Sequence, residues 1–106
     1  MNRDLWGRFG VRFLASAHKR IADARGLLGG GDAKAAMRVA AEFHGLAGEA
    51  GMIGIEEIAE LARSGERAAR AWASHPASVG STESQACATM LDAIDARVRA
   101  LEVPEN

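Results

Sequence analysis

Apolar and small residues recur at helical spacing in four long segments, separated by stretches rich in glycine, proline and serine. The first segment runs from Val11 to Leu28 with Val11, Leu14, Ala15, Ile21, Ala22 and Leu28 as its expected inner stripe, and Gly29-Gly30-Gly31 ends it. Asp32 is placed to cap a second helix, from Ala33 to about Ala50, whose buried stripe would be Ala36, Val39, Phe43, Leu46 and Ala50. Gly51 and Gly54 bracket Met52-Ile53, a tight turn with two hydrophobic residues expected to tuck inward. Glu56 and Glu57 then open a third helix, where negative charge suits the helix dipole, and Ile58, Leu61, Ala62, Ala69 and Trp72 supply its inner face.

From His75 to Ser81 the chain reads as a loop, because proline disfavours helix in the residue before it and small polar residues favour turns. Thr82 with Gln85 has the spacing of a capping box, and Cys87, Leu91, Ile94, Val98 and Leu101 follow at steps of four and three, the seam of a bundle helix. Four amphipathic helices on short connections predict an all-α, up-down-up-down antiparallel four-helix bundle. A leader from about Asp4 to Gly10 is expected to form a short N-terminal helix of its own, anchored by Trp6 and Phe9.

Composition narrows this picture. With 106 residues the chain accommodates one core, so residues 1–106 read as a single domain. Hydrophobic residues at 48% and charged residues at 25% describe a folded protein, and proline, the strongest helix breaker, occurs only at Pro76 and Pro104. A formal net charge of -1 offers no broad attraction for nucleic acid or an anionic membrane. No apolar stretch is long enough to cross a bilayer, and Met1 to Gly10 lacks the apolar core of a signal peptide. Cys87 is the sole cysteine and cannot form an internal disulfide, so a reducing cytoplasm is the expected compartment. The three histidines are scattered, with no metal-ligand spacing, which leaves a zinc- or haem-binding bundle without paired ligands.

His44 carries the candidate chemistry. It falls on the flank of the second helix's stripe, so it should be partly exposed, and its neighbours one turn away are Ala40, Ala41, Ala47 and Gly48, all small. Gly45 and Gly48 each cost a helix interior about 1 kcal/mol relative to alanine. A cleared approach to the imidazole would account for them, and so would close helix packing around a boundary histidine. Neutral imidazole is a nucleophile available near neutral pH. His18 reads as a packing histidine on the first helix, His75 as an exposed helix-end residue, and Cys87 as a small buried hydrophobe.

The run from His44 through Gly45, Leu46, Ala47, Gly48, Glu49, Ala50, Gly51, Met52 and Ile53 to Gly54 resembles the signature of histidine-containing phosphotransfer (Hpt) domains. Gly31-Asp32 upstream and Ile55 to Ala62 downstream agree with that family, and the likeness is strongest from about Gly31 to Arg70. The resemblance implies that His44 takes a phosphoryl group from a receiver-domain aspartate, or from a hybrid histidine kinase, and passes it to another receiver. It implies no ATP site, no autokinase activity and no cofactor in the chain itself, with Mg²⁺ expected on the partner receiver. Response-regulator receivers and a histidine kinase are the implied partners, and a monomer is the expected state.

Where many members of the family have lysine three residues after the histidine, this chain has Ala47. Family geometry places Arg63, Glu66 and Arg70 of the third helix beside the histidine, with Glu66 expected to orient it and Arg70 to lie near the phosphoryl group. Met37, Ala40, Ala41, Ala47 and Gly48 form the expected docking face. The alternative is a non-catalytic helical module that sequesters a receiver or kinase without phosphotransfer.

Overall fold

A computed structural model describes residues 2–30, 32–75 and 82–102. It contains four α-helices: α1 (Arg3–Leu27), α2 (Ala33–Met52), α3 (Glu56–Ser74) and α4 (Thr82–Leu101). No strand occurs among the described residues. Gly31 and the stretch 76–81, expected as part of a helix stop and as most of a loop, lie outside the described residues.

The leader is not a separate helix. Asn2 caps α1 by accepting a hydrogen bond from the Leu5 N–H at 3.1 Å, and the helix continues without a break through Gly7 and Gly10. Aromatic packing offsets the cost of the second glycine: the Trp6 ring lies over Gly10 so closely that a Cβ there would stand 2.8 Å from it. Trp6 also meets Phe13 edge-on, with centroids 6.4 Å apart.

These anchors set the rotation of α1, and the expected stripe is corrected accordingly. The buried positions are Gly10, Phe13, Ala17, Ile21 and Ala24. Of the residues expected inside only Ile21 is fully buried; Leu14 and Leu28 are half-buried, Ala15 and Ala22 face outward, and Val11 is 84% exposed. Apolar residues occur on nearly every side of this helix, so spacing alone left its phase open.

In α2, by contrast, Ala36, Val39, Phe43, Leu46 and Ala50 are all buried. The Asp32 carboxylate accepts from the Ala35 N–H at 2.7 Å and so satisfies one of the free donors of the first turn. At the other end Gly54 adopts φ 78°, a left-handed conformation that glycine enters without a Cβ clash. The Gly54 and Ile55 N–H groups turn back to the carbonyls of Gly51 and Ala50, at 3.2 and 2.9 Å. Ile53 tucks into the core there, but Met52 is still helical and points outward, 78% exposed.

α3 buries Ile58, Ala62, Ala69 and Trp72 as expected, with Leu61 half-buried. α4 buries Cys87, Leu91, Ile94 and Val98. Together with Phe43 and Leu46 these side chains make one continuous core that α1 closes with Phe13, Ala17 and Ile21. None of the helices among the described residues is long and apolar enough to cross a membrane.

Candidate functional site around His44

The site begins with a packing feature of α3. Ala62, Gly65 and Ala69 present a line of small residues, and the Phe43 ring of α2 fills the space this leaves. A Cβ on Gly65 would stand 2.3 to 2.5 Å from three carbons of that ring, far inside contact distance. The two helices therefore approach closely at this level. His44 and Glu66 are the next residues along their respective helices, and the same close approach brings them together.

The His44 Nδ1 lies 3.1 Å from Glu66 Oε1. An ionised carboxylate only accepts hydrogen bonds, so in the neutral ring the proton sits on Nδ1 and the lone pair on Nε2. The other carboxylate oxygen, Oε2, accepts from both Nε and Nη2 of Arg70, at 3.0 and 2.8 Å. Hydrogen bonding from that arginine holds the Glu66 carboxyl below its ordinary range; burial opposes it, and the hydrogen bond from His44 adds a smaller lowering. Glu66 is only 16% exposed while the His44 side chain is 77% exposed, so a fixed carboxylate supports a ring that projects into solvent.

A shallow recess beside the ring is lined by His44, Ala47, Gly48, Arg63 and Glu66. Arg63 reaches its edge from one turn before Glu66 on α3 and pairs through Nη2 with Glu60 and, at 3.6 Å, with Glu56. Arg70 does not line the recess.

The residues expected on the docking face divide. Ala41 and Gly48 are exposed, Met37 is 44% exposed, and nothing approaches within 4 Å of a Cβ built on Gly48. Ala40 is corrected to a core position at 1% exposure, because it lies on the same side of α2 as Val39 and Phe43. Ala47 is likewise corrected to a buried position and contributes to the floor of the recess rather than to an outer face.

The two glycines that flank the histidine also differ. Gly48 borders open space, but a Cβ on Gly45 would collide with the Arg20 guanidinium of α1 at 2.3 to 2.7 Å. Arg20 sits there because it pairs with Glu49 at 2.5 Å and Glu42 at 2.9 Å, and Ser16 donates to Glu49 at 3.0 Å. This partly buried network ties α1 to α2 on the side away from the recess. Sequence reasoning missed it, although Glu42 and Glu49 spaced three and four residues about a glycine were the available signal. It also missed Gly65, which stands out as the glycine interrupting an otherwise regular line of alanines on α3.

The remaining candidates lie elsewhere. His18 is partly exposed and bonds to Glu102, and the exposed His75 ring donates from Nδ1 to the Ala71 carbonyl at 3.4 Å. Cys87 is buried, and loss of hydration pushes its thiol up to about 11. Among the described residues no group of three or more His, Cys, Asp or Glu side chains could hold a metal ion.

A family model described as Hpt domain matches residues 11–101. Neither a curated protein nor a solved structure matches the chain.

Proposed function

The chain belongs to the Hpt domain family, and on that premise we propose that it relays a phosphoryl group between receiver-domain aspartates, or from a hybrid histidine kinase to a response regulator, by way of phospho-His44. One observation carries this reading: the imidazole stands in solvent with Nδ1 engaged by Glu66, which leaves Nε2 as the open nucleophile.

The Nε2 lone pair attacks the phosphorus of an aspartyl phosphate. The Nε2–P bond forms as the P–O bond to the aspartate breaks, and the aspartate leaves as its carboxylate. No proton moves, because Nδ1 keeps its hydrogen throughout. The phosphorylated ring then carries positive charge, which faces the Glu66 carboxylate and is stabilised by it. In the return step that same protonated ring is the leaving group. Phosphoryl transfer of this kind needs mainly positioning and charge stabilisation. The small residues Ala41 and Gly48 leave the approach to Nε2 clear, and Met37 on the same side offers an adaptable apolar contact to a docked receiver. The Mg²⁺ of such a reaction would be held by the receiver.

Incubation with a phosphorylated receiver and Mg²⁺ tests the proposal. Acid-labile phosphate should appear on the native chain and be absent from His44→Gln. Equal labelling of the variant would remove His44 from the reaction. Stable receiver binding that survives in His44→Ala, with no label on the native chain, would assign the sequestering role instead.

A further inference from the structure

We infer that Arg63 is the cation that faces the transferring phosphoryl group, while Arg70 acts only through Glu66 as a positioning residue; the inference rests on the phosphotransfer reading of His44. A phosphoryl group in transit spreads negative charge over three oxygens. Beside Nε2 it would enter a recess whose other lining residues are Ala47, Gly48, Arg63 and Glu66. Alanine and glycine supply no charge and Glu66 repels the incoming group, so among the described residues Arg63 is the sole cation lining the recess.

Hydrogen-bond inventory separates the two arginines. Arg70 commits Nε and Nη2 to one oxygen of Glu66, an arrangement that holds the carboxylate from the side away from the recess. Arg63 makes both of its ion pairs, to Glu60 and Glu56, through Nη2. The donors on Nε and Nη1 remain for a second acceptor, and each can give a phosphoryl oxygen one charge-assisted hydrogen bond. The Arg63 side chain is 41% exposed and its partners more so, so those pairs are solvent-screened and weak. A phosphoryl group carrying about two negative charges would compete for it readily.

Loading with phosphoramidate isolates this role from receiver docking. The His44 Nε2 attacks phosphorus of the zwitterionic donor, whose nitrogen already carries three hydrogens; the Nε2–P bond forms as the P–N bond breaks, and the nitrogen leaves as ammonia with no proton taken from the ring. Arg63→Ala should slow loading by at least about tenfold and shift the ³¹P resonance of the phosphohistidine that does form. Arg63→Lys should recover part of the rate, since it restores the charge without the planar, fixed guanidinium donors. In both variants the ¹⁵N signature of an Nδ1–H imidazole should match the native chain. Arg70→Ala should instead weaken that signature while leaving the ³¹P position of the loaded form near native. Native rate and native ³¹P position in Arg63→Ala would overturn the assignment, as would equal loss in Arg63→Lys. Failure of the native chain to load from phosphoramidate, and to be labelled by any phosphorylated receiver, would strike the relay reading itself and the inference with it.

Discussion

Gly65→Ala joins the packing of the bundle to the geometry of its site. The added methyl group would meet three carbons of the Phe43 ring at 2.3 to 2.5 Å, and Phe43 is fully buried with no solvent to move into. Overpacking of this kind costs about 1–3 kcal/mol. Replacing a helical glycine by alanine returns about 1 kcal/mol of backbone entropy and propensity. The net expectation is a loss of about 1 kcal/mol, read as a fall in Tm of roughly 4–8 °C for a domain of this size. Thermal unfolding followed by far-UV circular dichroism measures it. Relief of the strain requires α3 to back away from α2, which lengthens the His44–Glu66 contact. The ¹⁵N shifts of His44 should therefore lose part of their Nδ1–H character in the same variant. Phe43→Leu should couple favourably with Gly65→Ala, so that the double variant is more stable than the sum of the singles implies. A Tm for Gly65→Ala at or above that of the native chain would refute the reasoning, because propensity would then outweigh a clash that does not exist.

Gly48→Ala is the counterpart: with nothing within 4 Å of the new methyl group, it should raise Tm by a few degrees, at about 0.5–1 kcal/mol, and a fall would show that the space is not open. Glu66→Gln should slow phosphoramidate loading about tenfold through loss of one charge-assisted hydrogen bond to His44, and unchanged loading with an unchanged ¹⁵N signature would remove Glu66 from the site. The folded-state pKa of Glu66 is depressed, chiefly by Arg70, so its contribution to stability is present above the ordinary carboxylate range and is lost as pH falls through the depressed value. Urea unfolding at near-neutral and acid pH should accordingly show a smaller acid loss for Glu66→Gln than for the native chain. Cys87, buried with a thiol pushed up to about 11, should resist iodoacetamide at neutral pH until the chain is unfolded, and mass spectrometry showing rapid native alkylation would contradict its burial.

Local pattern was sufficient for much of this molecule. The all-α class, the Asp32 cap, the stripes of α2 and α4 and the outward flank of His44 follow from periodicity and end signals within single segments, and such signals do not depend on what a helix packs against. Three features depended on the neighbours. The phase of α1 was decided by Trp6 and Phe13, which outweigh the smaller apolar residues on its other sides. Gly45 was assigned to the Arg20 guanidinium by a helix 25 residues earlier in the chain. The separation of roles between Arg63 and Arg70 turns on which nitrogen meets which oxygen around the recess. Spacing along a helix specifies which residues share a face. How far apart two faces stand, and at what rotation, is set by the summed packing of residues distant in sequence, here above all by Phe43 against Gly65. That contact is what brings the Glu66 carboxylate to His44 Nδ1, and no single segment of the chain contains it.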